Sequence, residues 1–261
     1  MNVVFYKYQG TGNDFILIDD RENQFPLGNV MLIEQLCHRR FGIGADGLIL
    51  LRTHETSDFE MLYHNSDGKI GSMCGNGGRA TVQFAHDLGV IGDKTTFMAA
   101  DGLHEAYLKD HWVHLKMSDV SGVEKNDDFL FMNTGSPHYV AWVKKINDFQ
   151  VLEEGKKIRY NDRFREKGTN VNFMEKDGMV LNVRTYERGV EDETYSCGTG
   201  VTAAAIAASY EGMHSPVRIL TKGGDLAVSF ERTDDTFNNI YLMGPARKVF
   251  KGTVDLSLYG A

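Results

Sequence analysis

The sequence predicts an α+β protein built as two similar half-domains, and three observations carry that reading. Motifs repeat at one offset: Cys74 and Cys197, Thr11 and Thr134, Phe41 and Phe164, Tyr63 and Tyr186, and Ala80 and Ala203 all lie 123 positions apart (197 − 74). The expected elements follow one order in both stretches: strand, polar turn, strand, helix, strand, hairpin, glycine turn, alanine-rich helix. Each glycine turn opens with a cysteine, as Cys74-Gly75-Asn76-Gly77 and Cys197-Gly198-Thr199-Gly200. The polar stretch Ser118–Asp128 separates the copies. We therefore expect one half-domain over 1–117, completed by a C-terminal strand at about 249–261, and the other over 118–248.

Taken in order, Val3–Tyr8 and Phe15–Asp19 alternate or run apolar as strands do, around the turn Gln9-Gly10-Thr11-Gly12-Asn13-Asp14. Val30–Phe41 has helical spacing, with Ile33, Cys37 and Phe41 on one face beside Leu32 and Leu36. Cys37 reads there as a small core residue. Leu48–Leu51 is a short buried strand, and Phe59–Tyr63 is another that ends in the hairpin residues His64-Asn65-Ser66-Asp67-Gly68. Ala80–Leu88 continues from the first cysteine turn as a buried helix. Thr95–Ala100, Glu105–Lys109 and Trp112–Met117 close the first copy as strands.

Composition narrows the function classes. The 261 residues carry 42% hydrophobic and 25% charged side chains, ordinary for a globular protein. A formal net charge of −8 without a Lys/Arg cluster argues against nucleic acid or an anionic membrane as partner. No apolar run approaches the ~20 residues a membrane span needs, and Met1–Tyr8 turns polar too early for a secretory leader. Three cysteines without framework spacing fit a reducing compartment, so the expectation is cytoplasmic.

A thiol at a helix start sits at the positive end of the helix dipole, beside backbone N–H groups that can hold an anion. There its pKa can fall from ~8.5 to roughly 3.5–7.5, near the range in which a general base works best. If the repeat places the two thiols on opposite walls of a cleft between the half-domains, one can remove a proton from a carbon next to a carboxylate while the other returns it on the opposite face. The Gly75-Asn76-Gly77 and Gly198-Thr199-Gly200 amides would hold the carboxylate and the enediolate-like charge. A metal site fits poorly, because neither turn has a second Cys or a His at ligand spacing. Nucleophilic catalysis by one cysteine leaves the other unexplained. A non-catalytic amino-acid-binding protein would have little reason to keep both thiols and both glycine turns.

Gly10-Thr11-Gly12-Asn13-Asp14-Phe15, Asn65-Ser66-Asp67-Gly68 with Met73-Cys74-Gly75-Asn76-Gly77, and Tyr186-Glu187-Arg188-Gly189 with Cys197-Gly198-Thr199-Gly200 together resemble the diaminopimelate epimerase family over nearly the whole chain. The resemblance implies cofactor-independent, two-base epimerisation of LL-2,6-diaminopimelate to the meso form, without pyridoxal phosphate or metal. It also implies two half-domains, each a mostly antiparallel, barrel-like sheet curled round a central helix, and a homodimer. By matching position, Cys74 and Cys197 would be the acid/base pair, and His138 and Glu187 would help set thiol protonation. Asn13, Asn65, Asn170, Glu187 and Arg188 would hold the substrate, with Gly75, Asn76, Gly198 and Thr199 forming the carboxylate turns. The chain departs from well-known members at Ser136, where they carry Asn, and at Gly47, where they carry Gln. The shorter serine is expected to reach the far end of the substrate only through water. The rival within the same fold is a cofactor-independent racemase of another amino acid, such as histidine. Asn76 after Cys74-Gly75 disfavours the proline-racemase branch, and the cysteine pair disfavours a PhzF-like isomerase.

Overall fold

Leu48–Leu51 is an unbroken apolar run because both of its faces are covered, and this is the key to the first unit. The computed structural model describes residues 1–259. Its chain divides into a unit of Met1–Leu115 with the segment beginning at Pro245, and a unit of Lys116–Gly244. In the first, strands β1 (Asn2–Gly10), β2 (Asn13–Asp19), β3 (Gly47–Arg52), β4 (Phe59–Asn65), β5 (Lys94–Ala99), β6 (Gly102–Lys109) and β7 (Trp112–Lys116) pair in sequence order. The β2–β3 and β4–β5 pairs are parallel and the others antiparallel.

The sheet curls around helix α2 (Gly75–Asp87), whose residues Gly75 to Val82 are all buried. Phe15, Ile49 and Met61 point at Gly77, while Phe97 and Leu115 point at Gly78. The alternate residues Ile16, Ile18, Leu48 and Leu50 form a second core with Leu32, Leu36 and Cys37 of helix α1 (Val30–Cys37). Period-2 alternation thus divides each strand between two helices.

The helical spacing through Phe41 overstates α1. The helix begins at Asn29, whose side chain accepts from the Leu32 amide at 3.0 Å, and it ends at Cys37. The chain then folds back so that the amides of Ile43 and Gly44 reach Leu36 O and that of Ala45 reaches Cys37 O. Those carbonyls are satisfied without another helical turn. Phe41 is 80% exposed and lies against His38 instead of in the core. The C-terminal strand spans Arg247–Asp255, antiparallel to β1, and passes into a 3-10 turn at Leu256–Tyr259. Residues 260 and 261 of the strand expected at about 249–261 lie outside the described residues.

The second unit repeats the scheme. Strands β8 (Glu124–Lys125), β9 (Leu130–Asn133), β10 (Pro137–Trp142), β11 (Asn170–Asp177), β12 (Val180–Glu187), β13 (Asp192–Thr194), β14 (Val217–Thr221), β15 (Gly224–Thr233) and β16 (Thr236–Gly244) form its sheet. The parallel pairs are β10–β11 and β12–β14. Helix α3 (Val151–Arg159) covers one face, with Gly155 against Tyr186. Helix α4 (Gly198–Ser209) supplies Val201 and the run Ala203–Ala208 to the main core. Its small side chains let seven strands close on one helix.

Adding 123 to Gly75–Asp87 gives 198–210, against the observed Gly198–Ser209. The same shift carries β2 to β10, β3 to β11, β4 to β12 and β5 to β14 within a few residues, and both parallel pairs recur. The α+β class and the helix-centred curled sheet are those the sequence predicts. Among the described residues no helix is long and apolar enough to cross a membrane.

Candidate active site

In the first unit the site grows from the start of α2. Cys74 is the N-cap, in extended conformation, and its carbonyl accepts from the Gly78 amide at 2.7 Å. Its half-buried thiol donates to Asn13 Oδ1 at 3.6 Å, an oxygen that Asn76 Nδ2 also approaches at 3.4 Å. Asn13 is held in that orientation because its Nδ2 donates to Asp46 Oδ2 at 2.5 Å. Asp46 in turn accepts from the Asp14 amide and from Arg39, which bridges Asp14 and Asp46. Asn65 closes β4, exposed, and its side chain makes no hydrogen bond with this group.

Asp14 anchors the cluster. Burial works against its ionisation, but hydrogen bonds from Arg39 and Lys7 overcome burial and hold its pKa at about 2. A depressed carboxylate pKa stabilises the fold above the ordinary value of 3.8, and that stability is lost as pH falls through about 2. We expect the Asp14 contribution, on the order of 2 kcal/mol, to vanish over that window. Denaturant titrations of the protein and its Asp14→Asn variant should differ at pH 6 and converge near pH 2. A difference that stays constant with pH would show that Asp14 is not the linked group.

One group near Cys74 escapes a reading of the sequence. Arg79 is fully buried one turn into α2, donating to Thr11 Oγ1 at 3.0 Å and toward Gly75 O. Burial pushes its pKa down to about 10, with the electrostatic interaction with Cys74 acting the other way, so it remains a cation at neutral pH. The signal was present, since Arg79 interrupts an otherwise small and apolar helix face. At Gly47 a Cβ would lie 2.4 Å from Tyr63 Cε2 and 2.5 Å from His64 O, so this backbone leaves no room for a glutamine.

In the second unit Cys197 is the N-cap of α4, buried, with its carbonyl accepting from the Val201 amide. Thr199 Oγ1 stands 3.5 Å from Cys197 Sγ and 3.3 Å from Ser136 Oγ, which is 3.0 Å from His138 Nε2. Thr134 Oγ1 pins the Thr199 carbonyl at 2.8 Å. His138 opens β10 beside Asn170 and Asn172 of β11. Asn170 Oδ1 accepts from the Arg188 amide at 2.9 Å, and its Nδ2 donates to Ser136 Oγ and Pro137 O. Burial, then the charge of Arg188, pushes His138 down to about 3, so it is neutral at pH 7. Glu187 ends β12, half-buried, while the Arg188 guanidinium reaches Lys167 O.

The fold thus gathers Asn13, Cys74 and Asn76 in one unit, and His138, Asn170, Cys197, Thr199 and the Arg188 backbone in the other. Asn172 was missed by sequence, although a polar residue inside the apolar run Val171-Asn172-Phe173-Met174 marks a buried polar group. Cys37 sits apart in the core, its thiol pushed up to about 12 by burial. Among the described residues no group of three or more His, Cys, Asp or Glu side chains is arranged to hold a metal. The N-terminal ends of α2 and α4, with their N–H groups and positive dipole, are suited to a carboxylate.

Comparison with known proteins gives the family of the chain. A family model described as diaminopimelate epimerase matches residues 5–121 and 130–249. A diaminopimelate epimerase of Flavobacterium psychrophilum is 51% identical over 253 residues, covering 95% of this chain and 99% of the relative. One of Chlorobaculum tepidum is 46% identical over 259 residues, with coverage of 95% and 99%. Among solved structures, a PhzF-family phenazine biosynthesis protein of Bacillus anthracis has a TM-score of 0.76 at 12% identity, covering 98% of this chain and 99% of its own. A hydroxyproline epimerase of Agrobacterium vitis has a TM-score of 0.66 at 14% identity, covering 97% and 92%. At such identities these structures share the fold alone.

Proposed function

Since the chain belongs to the diaminopimelate epimerase family, it is an isomerase that epimerises diaminopimelate, and we propose that Cys74 and Cys197 do so as a cofactor-independent two-base pair. Full-length identity to the family's named members does not favour a racemase of another amino acid. The observation that supports the pair best is that each cysteine is the N-cap residue of a buried helix, at equivalent positions of the two repeats.

One thiolate takes the α-proton of LL-diaminopimelate, and the other thiol delivers a proton to the opposite face, giving the meso form. The two sulfurs exchange roles in the reverse direction. The carboxylate at the reacting carbon lies on the first-turn amides of Gly75 and Asn76 and of Gly198 and Thr199, where charge that develops toward an enediolate meets fixed N–H dipoles. Asn13, Asn65, Asn170, Glu187 and Arg188 hold the remaining amino and carboxylate groups, and His138 and Glu187 bear on thiol protonation. The same reading carries a homodimer in the reducing cytoplasm, where the thiols stay available.

The test is purified protein given LL-diaminopimelate and a panel of L-amino acids in deuterated water, read by chiral separation and mass. We expect meso product with one deuterium at the inverted carbon and no racemisation of the panel. Turnover of another amino acid with none of diaminopimelate would overturn the assignment.

A further inference from the structure

Ser136 has more to do than stand in for a longer residue. Its hydroxyl has one hydrogen to give and room to accept two. Asn170 fills one acceptor position at 3.0 Å, and the orientation of that amide is set because its Oδ1 takes the Arg188 N–H while its Nδ2 also serves Pro137 O.

The other donor is His138. Asn172 Oδ1 accepts from Thr185 Oγ1 at 2.9 Å, and Asn172 Nδ2 donates to Tyr139 O at 2.9 Å. The second hydrogen of that Nδ2 therefore points at His138 Nδ1, 3.0 Å away, which must accept. A neutral imidazole that accepts at Nδ1 carries its proton at Nε2. Nε2–H then donates to Ser136 Oγ at 3.0 Å.

With both acceptor positions filled, the Ser136 hydrogen goes to Thr199 Oγ1 at 3.3 Å, and the Thr199 hydrogen goes to Cys197 Sγ at 3.5 Å. Every group in the chain is buried or half-buried, which strengthens such bonds and lets each polarise the next. We infer that the Ser136 and Thr199 hydroxyls form a one-way donor relay from His138 to Cys197, favouring the Cys197 thiolate and making Ser136 a positioning residue. The relay passes the sense of the hydrogen bonds, and no proton leaves His138.

The first unit carries different side chains at the equivalent positions. The equivalents of Ser136, His138 and Thr199 are Asn13, Phe15 and Asn76, none of which has a hydroxyl, and Asn13 turns an acceptor toward Cys74. Other ionisable groups on or beside the strands packed against α4 have their own partners: Arg184 and Lys222 with Glu193, Tyr186 with Glu191, Glu175 with the Lys145 and Ile146 amides, and Tyr139 against the Phe129 and Phe164 rings. Tyr241 lies on β16. Lys176, Asp177, Arg218, Asp225 and Glu231 are exposed, and Arg232 reaches Ser209 O. Glu187 and Arg188 are the charges at this end of the sheet.

The inference rests on the two-thiol reading, and its test is independent of turnover. Iodoacetamide labelling of Cys197 is followed against pH by peptide mass spectrometry in the whole protein, with Cys74 as internal control. Ser136→Ala, Ser136→Asn and Thr199→Val should each slow Cys197 labelling at pH 7 about tenfold, the equivalent of one pKa unit. The acid limb of the kcat/KM profile should move up in step, and Thr199→Ser should restore both. Ser136→Asn guards against misfolding, since Asn occupies the equivalent place in the first unit. Unchanged Cys197 labelling in folded Ser136→Asn and Thr199→Val proteins would overturn the relay. Loss of the two-thiol reading would instead show as epimerisation surviving without either cysteine.

Discussion

Cys74→Ala and Cys197→Ala should each lower epimerisation of diaminopimelate by about 10³–10⁴-fold, toward the upper end of what one positioned acid–base group contributes, while the protein stays folded. Folding should survive because neither sulfur makes a side-chain cap hydrogen bond to its helix, and both helices are held by the packing of Gly75 to Val82 and of Val201 to Ala208. The sharper readout is a split between exchange and inversion. A variant with one thiol can still take a proton and return it on its own face. It should therefore exchange the α-hydrogen of one stereoisomer with solvent deuterium and retain configuration. Each variant should prefer the stereoisomer that the other neglects. Epimerisation near the original rate in either variant, measured by chiral separation, would sink the two-base assignment.

Gly200→Ala should cost far more than Gly77→Ala, although the two positions are equivalent in the repeat. A Cβ at Gly200 would stand 2.4 Å from Asn172 Oδ1, 3.2 Å from Cys197 Cβ and 3.3 Å from Cys197 Sγ. Asn172 is fully buried and cannot yield without releasing Thr185, Tyr139 O and His138 Nδ1 together. We expect a loss of about 1–3 kcal/mol in stability, the usual range for overpacking, and an activity loss of at least about tenfold through the displaced sulfur. At Gly77 the added atom would meet Met61 Cε at 3.2 Å, Ile49 Cδ1 at 3.4 Å and Phe15 Cζ at 3.5 Å, of which the flexible methionine end can move aside. Denaturant midpoints and turnover measured side by side settle the comparison. Equal tolerance at both positions would mean that Asn172 is not the constraint.

The two units differ in how much of each could be read in advance. Leu48–Leu51 announces a strand buried on both faces, and the Ala203–Ala208 run announces a helix that neighbours approach closely, because both patterns are local. The end of α1 was not legible. Periodicity placed Phe41 in the core, but the helix stops where returning amides of Ile43, Gly44 and Ala45 satisfy its last carbonyls. Ser136 illustrates the same limit at the site. In the sequence it is only a shorter residue than Asn, whereas in the fold it is the junction of Asn170, His138 and Thr199.

Counting along the chain was enough to find the duplication and the two cysteine-capped helices, since a 123-residue offset and periods of 2 and 3.6 are properties of order alone, while the family came from the resemblance of particular motifs. The unequal surroundings of the two thiols came from folding. Asn13 faces Cys74 as an acceptor because Asp46, 33 residues away, holds its amide. Cys197 faces a donor because Ser136 and Thr199, 63 residues apart, meet where β10 reaches the start of α4. Hydrogen-bond direction depends on which lone pairs are already filled, and those partners become neighbours only once the sheet closes on its helix.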